Sequence, residues 1–466
     1  MSTPKEVPHY PTSTSALPVV AQVAPVASAT LKALAFCFAL IPTLAGTRRG
    51  LVVPVFRVSE ALAVAVLLIV LVAYNKRMML GGAIFWTLLG YASIVALLTA
   101  YNCIYRTDLG FSDFIYNGLG PLTLLIIYVS ASACSGLVGI LKETCRYLLV
   151  LSSAMGALAV LQGLGVQTAR NFASYMTGNA SIANPISWKI PRSVGVFNSW
   201  HAYAGYAGLC MVIGIACLVH GIVIFKRRYL LVLAVVANGL GLLSSLTIGV
   251  IILASAVAIY LIVRYGRKIY LVFALAAGYL FLTRTNISTS ASERVVRQET
   301  TTGQYDFLPQ TVAFRIELWV RDFLPLVKGH LFTGYGPVGA ADRTFSYVES
   351  MYILVLLLAG IPALIAFLVV MSTSLRAAYR IHRREAADPL RSSISEALFL
   401  FLAGLVVLMF IHPYMNDAGV SQLSFVLLGL LGCVRGVPAV WGAESPVLYR
   451  PQYRLPPERS RRGADK

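Results

Sequence analysis

Residues 334 to 360 read "GYGPVGAADRTFSYVESMYILVLLLAG" and continue as "IPALIAFLVV" to residue 370. The first six letters contain G-x-G-x-x-G at Gly334, Gly336 and Gly339, the spacing that cradles a dinucleotide pyrophosphate. That spacing works only when a buried strand leads into it and the helix of a βαβ unit leaves it. Here "FRIELWVRDFLPLVKGH" stands upstream with helical periodicity, and the run from Met351 to Val370 carries no charge at all. Pro337 also removes a backbone donor from inside the motif. The nucleotide reading fails, and the apolar run decides the fold: it is long enough to cross ~30 Å of hydrocarbon as a helix.

The rest of the chain repeats that pattern. Of 466 residues 58% are hydrophobic and 12% charged, against about 25% charged in a typical soluble domain, and the mean hydropathy is +0.75. The expectation is an all-α, polytopic membrane protein. Spans are expected near 31–46, 58–74, 80–99, 118–140, 146–166, 202–225, 229–244, 249–263, 268–282, 350–371, 395–413 and 419–434, about twelve helices. The first is short, contains Pro42, and has room to begin earlier.

Short basic loops set the orientation: Lys76–Arg77, Lys142 with Arg146, Lys226–Arg227–Arg228, Arg264 with Arg267–Lys268, Arg376 through Arg384, and the tail from Arg435. With twelve spans all of them fall on one side, which the positive-inside rule makes cytoplasmic, together with both termini. Residues 1–30 read as a disordered cytoplasmic leader, 31–434 as the transmembrane domain with an extracytoplasmic insert at 283–349, and 435–466 as a basic cytoplasmic tail. The net charge of +19 is then mostly topological, and no nucleic-acid partner is expected, because the tail lacks stacking aromatics and a folded domain. The seven cysteines show no C-x-x-C spacing, and no H-E-x-x-H or carboxylate cluster accompanies them, so no metal or other cofactor is expected.

Basic residues on the outer side are not needed for topology. Arg170, Lys189 and Arg192 lie in residues 167–201; Arg284, Arg294, Arg297, Arg315, Arg321, Lys328 and Arg343 lie in the insert. Each is either a loop charge paired with Glu293, Glu299, Glu317 or Asp322, or a ligand for an anion. Within the insert, Val312, Ile316, Trp319, Val320 and Phe323 recur at helical spacing and end just before Pro325, which predicts an amphipathic helix at the membrane surface. Arg315 stands at the edge of its apolar stripe, placed to grip phosphate oxygens with two parallel bonds. Beyond the turn "KGHLFTGYGPVGA", Glu349 arrives at the mouth of the next span, as a helix cap or as a catalytic carboxylate. His330 is a lone loop histidine. His412 and Asp417 stand in "IHPYMNDAG", a polar loop beside a span, and Tyr335 is placed as an interfacial aromatic.

These elements resemble the O-antigen ligase and O-unit (Wzy-type) polysaccharide polymerase family of bacterial envelope glycosyltransferases. The likeness rests on an arginine and tryptophan four apart (Arg315, Trp319), the "His-Leu-Phe-x-Gly-x-Gly" turn from His330, the helix entry "ESMYILVLLLAGIPALI", and "PRSVGVFNSWHAYAGYAG" before an earlier span. The resemblance implies transfer of a glycan from undecaprenyl pyrophosphate to an acceptor hydroxyl, with inversion and without a nucleotide or required metal, at the extracytoplasmic side of the bacterial inner membrane. By position it implies Arg192 and Arg315 as pyrophosphate grips and Glu349 as the acceptor-side catalytic residue, with Trp319, His330, Tyr335, His412 and Asp417 as substrate-binding neighbours. Many ligases read His-Asn where this chain has Glu349–Ser350, which points toward a polymerase of exopolysaccharide, capsule or O-antigen. The alternatives are a ligase acting on lipid A core or protein, and a transporter of the same lipid-linked glycan. A transporter predicts charged or broken helices near the bilayer midplane and an internal repeat.

Overall fold

The computed structural model describes residues 28–266 apart from 54–55, 75–81, 107 and 185–191; residues 308 and 310–337; and residues 348–432 apart from 386. Residues 269, 272, 279, 283 and 292 are described singly, as helical. All of these lie within the unit Val26–Cys433. The expected leader, the basic tail and most of the ninth expected span and of the insert, with Lys189, Arg284, Arg294, Arg297 and Arg343, lie outside the described residues.

Every regular element among the described residues is helical. In chain order they are α1 (Ser28–Thr43), α2 (Val58–Tyr74), α3 (Ala83–Tyr105), α4 (Phe111–Gly118), α5 (Gly120–Cys134), α6 (Ile140–Gly163), α7 (Gln167–Thr177), α8 (Ala180–Ala183), α9 (Trp200–Val219), α10 (Arg228–Ser244) and α11 (Ile248–Arg264). Then follow α12 (Gln310–Leu318), a π-helical turn (Trp319–Phe323), α13 (Leu324–Gly329), α14 (Met351–Arg384), α15 (Pro389–Leu408) and α16 (Val420–Leu431). Five helices, α3, α6, α9, α14 and α15, are long and apolar enough to cross a membrane. The pair α4 and α5, bent by 43°, passes the same test if counted as one; the expected span 118–140 corresponds to α5, and α4 lies before it. The shorter apolar helices α1, α2, α10, α11 and α16 occupy other expected positions. The chain is a helical membrane protein.

The core forms around α9, whose sequence "WHAYAGYAGLCMVIGIACLV" supplies small residues that let neighbours approach closely. A Cβ on Gly205, Gly208 or Gly214 would lie 3.2 Å from Val420, 3.1 Å from Val250 or 2.6 Å from Val235, side chains of α16, α11 and α10. Tyr203, Tyr206, Phe401 and Phe425 are fully buried among them.

At one end of the bundle Glu396 of α15, 2% exposed, gathers two other segments. Its carboxylate accepts from Arg264 Nη1 at 2.7 Å and from the Tyr265 hydroxyl at 2.7 Å, and it meets His220 Nε2 at 3.3 Å. The basic pairs Lys142–Arg146, Lys226–Arg228 and Arg383–Arg384 belong to helix ends on this same side. The opposite end holds the remaining polar machinery.

One expected span is corrected. The run entered at Met351 is not a straight rod: Ala359 (φ −152°, ψ 25°) and Gly360 (φ 67°, ψ −167°) interrupt α14 just before Pro362. In a continuous helix the Tyr352 and Phe367 side chains would stand about 22 Å apart along the axis. Their ring centroids are 6.2 Å apart, so residues 351–358 fold back toward the long segment after the break.

Candidate functional site

The break in α14 explains the glycine turn. An unbroken helix would pair the Ile361 N–H with the Leu357 carbonyl. Instead Ile361 N donates to Leu331 O at 2.8 Å, and Leu357 O accepts from Gly336 N at 2.8 Å. Residues 331–336 are therefore spliced into the gap, satisfying both halves of one severed helical bond. Gly334 and Gly336 have positive φ (72° and 90°). A Cβ on Gly334 would stand 2.5 Å from Ala359 N, and one on Gly336 would stand 2.7 Å from Asn102 Cβ. Only glycine fits a backbone this close to another. Gly334 N–H also goes to His330 O at 2.8 Å, so the amides a phosphate would need are already used. Asn102 lies in the last turn of α3 and donates from Nδ2 to Thr333 O at 3.0 Å, which places the break near the end of the bundle rather than its middle.

The amphipathic helix is present but continues past its expected end. Pro325 has no N–H, and its ring would clash with the carbonyl four residues back. The helix widens there: Leu324 N–H bonds Trp319 O, five residues away, and α13 carries on from Pro325 in its first turn. The wider turn rotates the stripe. Leu318, Trp319, Phe323, Leu326 and Val327 pack with Leu357, Ile353 and Leu356 of the folded-back segment, while Val320 faces outward, 56% exposed.

This packing sets Arg315 against Glu349, with Arg315 Nε facing Glu349 Oε2 in an ion pair. Arg315 Nη1 also donates to Thr311 O at 3.2 Å. Ser350, not Glu349, is the N-cap residue of α14, and Met351 N donates to Met409 O at 2.9 Å. That bond ties the Glu349 segment to the loop that carries His412, Tyr414 and Asp417.

Residues 409–419 coil tightly, with Asp417 N donating to Pro413 O at 3.1 Å and Gly419 at φ 103° pressed on Phe197. The coil buries His412 and Asp417 as a pair, Nε2 to Oδ2 at 2.7 Å. On His412 lies a residue the sequence reading passed over. His201, in the first turn of α9, stacks on it with ring centroids 3.8 Å apart and planes at 23°, and Tyr414 meets both rings edge-on. His201 is within electrostatic reach of Arg315 as well as His412, and its Nδ1 is buried without a hydrogen-bond partner. Tyr414 stays a neutral phenol: burial raises its pKa, Asp417 adds to the rise, and Arg315 opposes it.

Arg192 enters from the other side. Its guanidinium lies 4.5 Å from the Trp200 ring centroid, and Trp200 meets His201 at 5.7 Å. The loop 192–199 is fixed by Gln162, whose Oε1 accepts from Val194 N and Gly195 N at 2.9 and 3.0 Å and whose Nε2 donates to Gly195 O at 2.8 Å. Arg192 thus reaches His201 through Trp200, and Arg315 is within electrostatic reach of the same imidazole.

Other expected residues have other places. Arg170 is buried and donates two bonds to Gln162 O, a structural role. Arg321 is exposed and paired with Asp322 and Glu317. His330 is exposed and sits edge-on to Tyr335 at 5.7 Å; the Arg106 guanidinium covers the Tyr335 ring at 3.9 Å and donates to its carbonyl. These three belong to the turn rather than to the histidine pair. Among the described residues no group of three or more His, Cys, Asp or Glu side chains is arranged to hold a metal ion.

A scan of protein-family models gives no match to this chain, and no curated protein matches it.

Proposed function

We propose that this protein is an integral-membrane glycan polymerase that transfers undecaprenyl-pyrophosphate-linked repeat units at the extracytoplasmic face of a bacterial inner membrane, with about twelve spans. The observation that carries the reading is the convergence of Arg315, Glu349, His201, His412, Asp417 and Arg192, from five separated segments, at the end of the bundle opposite the basic helix ends.

The chemistry divides between two sides. Departure of the leaving group builds negative charge on the pyrophosphate, and guanidinium donors held in place by packing stabilise that charge without reorganising. Arg315 and Arg192 supply those donors. In the resting state Arg315 is neutralised by Glu349. When the guanidinium turns to the pyrophosphate, the carboxylate is released to take the acceptor's proton as its oxygen attacks the sugar. The C–O bond to the pyrophosphate breaks with its electron pair, and the new glycosidic bond forms on the opposite face. No nucleotide or metal enters these steps.

Two structural features speak against the transporter alternative. The broken helix and the buried carboxylate, which that alternative needs near the midplane, stand near opposite ends of the bundle: the break beside the last turn of α3, Glu396 beside the C-terminus of α11. A ligase acting on lipid A core or protein shares the donor side and differs in its acceptor.

The test is chain extension in vitro from purified lipid-linked repeat units. Arg315→Lys keeps the charge but loses the two-pronged geometry; extension is expected to fall at least tenfold, while Arg321→Lys on the exposed face of the same helical stretch leaves it unchanged. Equal extension by both variants at equal protein level would refute the assignment.

A further inference from the structure

A second group of arginines stands at the same end of the bundle, in the loop 44–57 between α1 and α2. The loop is anchored: Arg48 N donates to Met176 O at 2.8 Å, and a Cβ on Gly46 would lie 2.4 Å from Phe197 Cα. Arg49 Nη2 donates to Glu60 Oε1 at 3.1 Å, while Glu60 Oε2 accepts the backbone N–H of Arg57 at 3.0 Å. One carboxylate therefore serves two neighbouring arginines, and half of it is used on backbone.

The donors left over are unusual. Arg49 Nε is buried with no hydrogen-bond partner, and among the described hydrogen bonds and ion pairs none uses the Arg57 guanidinium. Burial and the charge of Arg49 both work against protonated Arg57, and Glu60 and Asp417 offset only part of that cost. A desolvated guanidinium without a full set of acceptors is costly, and an anion with several oxygens relieves it best.

The surroundings say what carries the anion. Val52 and Phe56 on the same loop are 72% and 46% exposed. Arg49 stacks over Tyr116 at 4.2 Å and Arg48 over Tyr175 at 4.9 Å, and both rings are exposed. Outward apolar residues and arginine-bearing tyrosines mark the level where hydrocarbon gives way to headgroups.

We propose that Arg49 and Arg57 form a second anion site, distinct from the Arg192 and Arg315 group, that takes the phosphate of a lipid-borne ligand. Asp417 links the two regions, being bonded to His412 and within electrostatic reach of Arg57. The second site therefore neighbours the histidine pair. Two sources offer the same chemistry: the headgroup of a phosphoglyceride, and the polyprenyl pyrophosphate of an acceptor repeat unit. The site itself needs only a lipid phosphate; assigning it to the acceptor rests on the polymerase reading.

The test is native mass spectrometry of the detergent-solubilised full chain titrated with undecaprenyl pyrophosphate or with phosphatidylglycerol, thermal stability being recorded on the same samples. If the acceptor is the source, the chain binds two undecaprenyl pyrophosphates, and Arg57→Gln or Arg49→Gln weakens one of them at least tenfold while Arg315→Gln weakens the other. If the headgroup is the source, the same two variants weaken phosphatidylglycerol tenfold and leave undecaprenyl pyrophosphate at one per chain. Arg57→Lys, which keeps the charge, retains most of the binding in either case and guards against a folding artefact. Wild-type binding of both lipids by Arg49→Gln and Arg57→Gln overturns the proposal. Chain extension plays no part in this assay, so a chain that binds lipid phosphate at Arg57 yet never extends a glycan overturns the polymerase reading alone.

Discussion

Gly334→Ala tests the splice between the glycine turn and the broken helix. At φ 72° an alanine costs about 1–2 kcal/mol over glycine. Its Cβ would also stand 2.5 Å from Ala359 N and 2.7 Å from Leu357 O, both backbone atoms that cannot swing away. The turn must lift, and Gly336 N–H and Ile361 N–H then lose Leu357 O and Leu331 O. Stranding one buried backbone group costs about 1–3 kcal/mol, so local opening becomes easier by at least about 3 kcal/mol, roughly a hundredfold. Gly329→Ala is the control, since a Cβ there meets nothing within 4 Å. The assay is hydrogen–deuterium exchange in nanodiscs, read on peptides covering residues 331–336 and 357–363. Both should exchange faster in Gly334→Ala and remain at the wild-type rate in Gly329→Ala. Wild-type exchange in Gly334→Ala would refute the splice.

Three further outcomes are expected. His412→Asn or Asp417→Asn breaks the buried bond between them, so each should lower thermal stability by about 1–3 kcal/mol, and the double variant should cost less than the sum, as read in a double-mutant cycle. Glu396→Gln should cost about 1–3 kcal/mol, discounted because Arg264 is 44% exposed, and should leave extension unchanged in the protein that stays folded, since Glu396 is at the other end of the bundle. In a cysteine-free background, an impermeant maleimide should label Thr168→Cys in intact cells and Val138→Cys, in the loop between α5 and α6, only after permeabilisation; the reverse pattern would invert the topology.

The positions of the long helices were legible because an apolar run is a one-dimensional signal, set by composition over about twenty residues. The stretch from Met351 to Val370 shows the limit of that signal. Its hydropathy is uniform, and Gly360 with Pro362 is a common pair in membrane helices, so nothing local says that the helix folds back there. The break becomes visible only when Gly336 and Leu331 are seen to occupy the vacated hydrogen bonds. The π turn is similar: Pro325 marks a disturbance, and sequence alone reads it as an end. In the site, Arg315 and Glu349 were found as charges out of place, and His412 and Asp417 as polar residues beside a span. His201 was hidden because a histidine at the head of an apolar helix is unremarkable until a second imidazole lies on its face. Arg49 and Arg57 were hidden by their loop, which is short and sits between two spans whose basic residues attract attention elsewhere.

The ion pair between Arg315 and Glu349 gives the proposed reaction an order. Arg315 Nε faces Glu349 Oε2, so while the pair holds, that oxygen is turned to the guanidinium and not to an acceptor hydroxyl. The carboxylate can meet the acceptor only after Arg315 has turned to another anion, and the anion expected there is the donor's pyrophosphate. Acceptor activation is thereby conditional on donor binding. His201 supports the same logic. Its ring lies on His412 with centroids 3.8 Å apart, and its Nδ1 is buried without a hydrogen-bond partner. A ring nitrogen left open there can pass a proton from the acceptor side without competing with the arginines for the leaving group.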